Sequence, residues 1–160
     1  MKIAIASDHG GYQIKHMINE YLKSQQYSVA DYGTHSDTSC DYPDFAIHVC
    51  AEVQHKTSEF GILICGTGIG MCMTANRNPH IRAGLCKDPE TATLTRQHND
   101  ANVLCLGART TDADDIIPII QAFITGLKSL AYENTENKRA RLSNFCTGQT
   151  ISTVRILACP

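Results

Sequence analysis

No apolar run in this chain approaches the length of a membrane span, and no surplus of positive charge is present to hold a nucleic acid. Lysine and arginine total 14 against 16 aspartates and glutamates, a formal net charge of −2, so neither a polyanion nor an anionic membrane is expected as partner. The opening stretch MKIAIASDHG carries one lysine and reaches Asp8 and His9 almost at once. A secretory leader pattern is therefore missing, and the expected location is the cytoplasm. Eight cysteines include no CxxC pair, and Cys65 to Cys72 is a seven-residue step, which argues against a zinc ribbon or a paired redox motif. Buried free thiols are expected instead of a disulfide framework. Seven histidines form no HExxH or other metal-ligand spacing, so no metal is expected.

What is present suits one core-forming domain. The 160 residues are 42% hydrophobic and 19% charged, enough for a single domain over 1–145, with 146–160 as a tail that carries little structural signal. Short apolar runs alternate with helical spacing along most of the length. KIAIA (2–6), SVADY (28–32), FGILIC (60–65), IRAGLC (81–86) and NVLCLG (102–107) read as strands. Between them, Ile14, Met17, Ile18, Tyr21 and Leu22 recur as a helical face, as do Phe45, Val49, Cys50 and Val53 after Pro43. A further helix starts in the glycine run and reaches about Asn76, and another is capped by Asp88 and Pro89. Ile116, Ile117, Ile120, Phe123 and Ile124 mark a fifth, with Pro118 kinking it or lying near its start and Gly126 as its stop. Residues 136–145 suggest a last, basic helix.

Five strands alternating with helices predict a three-layer α/β/α sandwich around a five-stranded parallel, Rossmann-like sheet. Right-handed crossovers place each strand-to-helix loop at the carboxyl edge of that sheet, where ligands bind. The rule gathers Asp8 and His9, the run Cys65–Gly70, and Arg109. The stretch 98–102 precedes the fifth strand, so it falls at the opposite edge of its own sheet; a functional role there requires that it serve a neighbouring subunit or wrap around at the end of a helix.

ILICGTGIGM is the most informative segment. It departs from the dinucleotide fingerprint, because Met71 stands where a third glycine is needed, and no Lys-Ser/Thr pair makes it a P-loop. The remaining reading is a turn whose backbone N–H groups converge on an oxygen anion. A thiol at its entrance has surroundings that favour thiolate chemistry, although a small buried strand-end residue is the plainer alternative for Cys65. Asp8 is equally suited to capping the next helix, and His98 and Asn99 to ending one. Arg109 suits a phosphate or plain solvent, and Lys138, Arg139 and Arg141 suit an exposed basic face.

The stretches IAIASDHGGYQIK, DYPDFA, FGILICGTGIGM, TANRNPHIRAGLC, TRQHNDANVLCLGAR and NKRARL together resemble the ribose-5-phosphate isomerase B family over roughly residues 2–142. The resemblance implies aldose–ketose isomerisation of a small phosphorylated sugar, D-ribose 5-phosphate to D-ribulose 5-phosphate, without metal or organic cofactor. It implies Cys65 as the base at C2 and C1, His98 in ring opening, and Thr67 with the amides of Gly66, Gly68, Ile69 and Gly70 around the enediolate oxygens. Asp8, His9 and Asn99 match substrate-binding positions, and Arg109 and Arg141 match phosphate-holding arginines. Cys65 with Met71 places the chain among the cysteine users, not the branch with a glutamate after the glycine run. Asn137 stands where the family commonly has a second phosphate arginine; it donates a hydrogen bond but carries no charge. The sister galactose- and allose-6-phosphate isomerases share much of the pattern, so a hexose 6-phosphate is the alternative substrate. A phosphate-binding module without catalysis and an inactive partner subunit are the others. Sites shared between two subunits imply a homodimer or a dimer of dimers.

Overall fold

A computed structural model describes residues 1–126 of the protein. Asn137, Lys138, Arg139, Arg141, the expected helix over 136–145 and the tail over 146–160 lie outside the described residues. Five short apolar runs form one all-parallel sheet in the order β2-β1-β3-β5-β4. The strands are β1 (Lys2–Ser7), β2 (Ser28–Asp31), β3 (Phe60–Cys65), β4 (Ala83–Leu85) and β5 (Val103–Gly107). The helices between them are α1 (Tyr12–Ser24), α2 (Tyr42–Gln54), α3 (Ile69–Ala75), α4 (Pro89–Asn99) and α5 (Ile116–Thr125).

Strand alternation sorts the core into two unequal faces. Ile3 and Ile5 of β1 point with Ile62, Ile64, Leu104 and Leu106 toward Ile18 and Leu22 of α1, Ala92 of α4 and Ile116, Ile120 and Phe123 of α5. Ala4 and Ala6 point the other way, with Leu63, Cys65, Val103 and Cys105, toward Val49 and Cys50 of α2 and Met71 and Ala75 of α3. The first face is built from bulky branched side chains and the second largely from small ones. Small side chains let α2 come close: a Cβ on Gly61 would lie 2.6 Å from a Val49 methyl. The three-layer α/β/α arrangement is thus set by which side of each strand carries bulk.

Element ends differ from the sequence expectation where local hydrogen bonds intervene. Asp8 caps a short 3-10 turn at His9–Gly11, and this turn delays α1 to Tyr12. The fourth strand is shorter than 81–86 because the Ile81 amide turns back to Asn78 and the Arg82 amide donates to Asn102 Oδ1 at 2.8 Å. Only Ala83–Leu85 then pairs with β5, at a sheet edge. Asp88 makes the expected cap of α4, its carboxylate accepting from the Thr91 amide at 2.7 Å in a reciprocal capping box. Those contacts also hold the Asp88 carboxyl below its ordinary range. Pro118 is the third residue of α5, in the first turn, where its missing N–H breaks no helical bond.

Candidate active site

Main-chain hydrogen bonds clasp three loops together at the carboxyl edge of the sheet. The Asp8 amide donates to the Ile64 carbonyl at 3.2 Å, tying the loop after β1 to the end of β3. The amides of Ala108 and Arg109 donate to the carbonyls of Cys65 and Gly66 at 2.8 and 2.9 Å, tying the loop after β5 to the same place. Gly10 fits against this clasp, since a Cβ there would lie 3.3 Å from the Gly66 nitrogen. The strand order explains the gathering. The connection after β1 runs to β2 on one side and the connection after β3 runs to β4 on the other, so the loops after β1 and β3 diverge around a crevice.

Cys65 is the last residue of β3, paired in register with Gly107 and only 5% exposed. The Gly68 amide donates to its sulfur at 3.1 Å. Gly68 holds this geometry at φ +75, the left-handed region, with no room for a Cβ: one would lie 2.5 Å from a Leu85 methyl and 2.8 Å from the Leu106 carbonyl carbon. Thr67 is exposed, its hydroxyl accepting from the Ile69 amide at 3.4 Å, and Ile69 is 48% exposed at the start of α3. Gly70 lies beneath the ring of Tyr42, which a Cβ would meet at 2.7 Å.

At the same sheet edge, between the loops after β1 and β5, lies a cavity of about 370 Å³ lined by His9, Tyr12, Gln13, Asp37, Ala108 and Arg109, among others. The Arg109 guanidinium lies over Gly66, where a Cβ would sit 3.6 Å from its Nη1. Nδ1 of His9 lies 3.2 Å from both the amide nitrogen and the carbonyl oxygen of Cys40, which ties the ring to the loop before α2. The Asp8 carboxylate is 7% exposed and accepts from the Gly11 amide at 3.1 Å, so it caps the 3-10 turn while facing the same edge.

His98 and Asn99 end α4 at the opposite, amino edge. Asn102, next in line before β5, bonds to Arg82 and His80 ahead of β4, which fixes that end of the sheet. Strand β5 separates the two edges by on the order of 15 Å, so one chain does not bring His98 to its own Cys65. Of the expected site residues, the fold unites Asp8, His9, Cys65, Gly66, Thr67, Gly68, Ile69, Gly70 and Arg109 and holds His98 and Asn99 apart. Tyr42 and Asp37 were not singled out from sequence. Their place depends on how α2 and the loop before it close over the sheet, although DYPDFA did mark the segment.

The other thiols behave differently from one another. Cys105 is fully buried and donates to the sulfur of half-buried Cys72, and this bond, helped by the Leu85 backbone and the Asn76 amide, lowers the Cys72 thiol to about 7. Burial pushes Cys50 and Cys86 up to about 11. A depressed value means that Cys72 is thiolate above neutrality while the raised pair stays protonated. Iodoacetamide at about pH 8 is therefore expected to label Cys72 well before Cys50 or Cys86, with a rate that climbs through neutral pH. Peptide mass spectrometry reads this, and equal labelling of the three contradicts it. Among the described residues, no group of three or more His, Cys, Asp and Glu side chains is placed to hold a metal ion, and no helix is long and apolar enough to cross a membrane.

With the site's geometry in place, comparison with known proteins is decisive: the family model described as Ribose/Galactose Isomerase matches residues 3–144. The chain belongs to the ribose/galactose isomerase family. It is 42% identical over 123 residues to ribose-5-phosphate isomerase B of Escherichia coli, covering 77% of this chain and 83% of that relative. The solved ribose-5-phosphate isomerase B of Clostridium thermocellum superposes with a TM-score of 0.88 at 37% identity, over 94% of this chain and all 100% of that one. The Mycoplasma genitalium ribose-5-phosphate isomerase B, solved with bound ribulose-5-phosphate, gives 0.84 at 38% identity over 91% and 96%. Membership makes this protein an enzyme, an aldose–ketose isomerase of the ribose/galactose isomerase family, on the α/β/α fold described above.

Proposed function

We propose that this isomerase interconverts D-ribose 5-phosphate and D-ribulose 5-phosphate, with Cys65 as the base. The observation that carries the reading is the place of the Cys65 sulfur, beneath the glycine turn at the sheet edge where main-chain bonds also hold the loops of His9 and Arg109. In the forward direction His98 assists opening of the furanose ring to the free aldehyde. The Cys65 thiolate then takes the C2 proton, and the electron pair moves to give a cis-enediolate across C1 and C2. Negative charge develops on oxygen, where Thr67 and the amides of Gly66, Gly68, Ile69 and Gly70 stabilise it. The O2 hydroxyl proton passes to O1 while the enediolate is held, and the same sulfur returns its proton to C1, leaving a hydroxyl on C1 and the ketone at C2. Asp8, His9 and Asn99 bind hydroxyls, while Arg109 and Arg141 hold the phosphate with Asn137 contributing a hydrogen bond. A cavity of about 370 Å³ suits a small ligand of this kind.

Purified protein assayed with ribose 5-phosphate, allose 6-phosphate and galactose 6-phosphate tests the assignment. Turnover that favours either hexose phosphate by kcat/KM overturns the pentose reading, and absence of turnover with all three overturns catalysis itself.

The distance between His98 and its own Cys65 supports a homodimer in which each sugar meets Cys65 of one subunit and His98 and Asn99 of the other. Ribulose 5-phosphate offers a way to separate the two roles, because with C5 phosphorylated and the carbonyl at C2 it has no hydroxyl placed to close a furanose ring. A His98→Ala variant is expected to lose about 100-fold in turnover of ribose 5-phosphate. It should still exchange the C1 hydrogen of ribulose 5-phosphate with heavy water, a reaction that needs Cys65 and the enediolate donors but no ring opening. Loss of both activities together would show that His98 does something other than open the ring. Co-refolding this variant with Cys65→Ala gives mixed dimers with one intact site in two, so about a quarter of wild-type activity should return if sites are shared; none should return if they are not.

A further inference from the structure

Arg96 sits in the last turn of α4, two residues before His98, and is only 6% exposed. Its guanidinium lies 4.6 Å from the centre of the Phe60 ring and 5.6 Å from that of Phe123, two rings that themselves meet edge-on at 5.6 Å and 73°. From this aromatic seat Nη1 donates to the carbonyl of Ala101 and lies 3.6 Å from Oδ1 of Asp100. Asp100 is 6% exposed and left-handed, with φ 47, and Ala101 is 2% exposed. The backbone closes the same loop, since the amides of Asp100 and Ala101 return to the carbonyls of Arg96 and Thr95. From outside, Nε of Arg82 donates to the carbonyl of Asn99. His98 and Asn99 are thus held between two arginine tethers.

As a stability device this arrangement is poor. A buried cation is expensive to desolvate, and the Arg96 Nε has no hydrogen-bond partner among the described residues. A methionine would fill the same space between the two phenylalanine rings without that penalty. What methionine lacks is the ability to grip the Ala101 carbonyl and face the Asp100 carboxylate together, which pins the left-handed turn that follows Asn99. We propose that Arg96 is a positioning residue that sets the His98–Asn99 corner at the distance and angle needed by the site it serves. It acts through His98 and touches no substrate. The inference rests on the reading of His98 as the ring-opening group.

The test compares Arg96→Met and Arg96→Lys with wild type and with His98→Ala, using three readouts: thermal unfolding, turnover of ribose 5-phosphate, and exchange of the C1 hydrogen of ribulose 5-phosphate in heavy water. Misplacing a reacting group by an ångström is worth about 100-fold. Arg96→Met is expected to unfold cooperatively, to lose about that factor in kcat for ribose 5-phosphate, and to keep exchange within about threefold of wild type at saturating ribulose 5-phosphate, where a weakened Asn99 contact raises KM only. Arg96→Lys, which retains a charge and one contact, is expected to recover part of the turnover. A structural role alone would lower turnover and exchange in step, and that result, or no loss in either, overturns the proposal. If Arg96→Met does not fold, Arg96→Lys carries the same comparison: turnover reduced with exchange kept upholds it, and the two unchanged or falling together overturns it. A wild-type protein that neither turns over nor exchanges, or a His98→Ala variant that loses exchange, overturns the underlying reading as well. That failure is distinguishable, because failure of Arg96 alone leaves wild type and His98→Ala behaving as expected.

Discussion

Cys65→Ala is expected to cut turnover of ribose 5-phosphate by about 10²- to 10⁴-fold, the range associated with a positioned proton-transfer group, and to abolish deuterium exchange into ribulose 5-phosphate at the same time. Loss of both reactions is what separates the base from the ring-opening group, since every proton that moves between C2 and C1 passes through it. The fold should survive. Cys65 is 5% exposed at the end of a strand whose backbone ladder to Gly107 does not involve the side chain. The missing sulfur leaves the Gly68 amide without its 3.1 Å acceptor, a cost of about 1 kcal/mol. Cys65→Ser keeps an acceptor in that place but is a far weaker base, so it should recover stability without recovering turnover. Thermal unfolding beside the two kinetic assays checks this. A Cys65→Ala protein that retains turnover refutes the assigned base.

Gly68→Ala is expected to be the most damaging single methyl group in the site. Its φ of +75 strains any residue with a Cβ, and the added carbon would press on the Leu106 carbonyl carbon at 2.8 Å, a backbone neighbour that cannot rotate away. The loss should be about 3 kcal/mol. Relief of the clash shifts the turn, so the amide that meets the Cys65 sulfur moves with it and activity falls further than stability. Gly66→Ala is the contrasting control. A Cβ there meets Arg109 at 3.6 to 3.7 Å, ordinary contact, so its unfolding midpoint should stay close to wild type. Chemical denaturation of the two variants decides between them, and equal destabilisation would contradict the conformational argument.

Much of this was readable before any coordinates, for a physical reason. Buried parallel strands need unbroken apolar runs such as FGILIC, and the amphipathic spacing of α1 and α5 leaves little room for another assignment. The carboxyl-edge rule placed Asp8, Cys65 and Arg109 together because loop position follows from chain direction alone, and it set His98 apart by the same logic. Features that depend on contact between distant segments were not readable. The insertion of β5 between β3 and β4 has no local signature, and β4 is cut short by an asparagine twenty residues later in the chain. Tyr42 over Gly70, Cys105 beside Cys72 and Arg96 between two phenylalanines are each ordinary residues made significant by what folds against them.

The three strands that deliver the site's loops are neighbours in the sheet but distant in the chain. Ile3 pairs with Phe60, and Gly61 with Val103. Every such pairing closes a long loop before any contact rewards it, which makes assembly of the central strands the slow part of folding. Because the clasp around Cys65 consists of hydrogen bonds among these same strand ends, it has no local precursor: no isolated hairpin or helix pair carries a fragment of it. A nascent chain therefore has no partly competent thiol pocket, and catalytic geometry arrives only when the last central strand is in place.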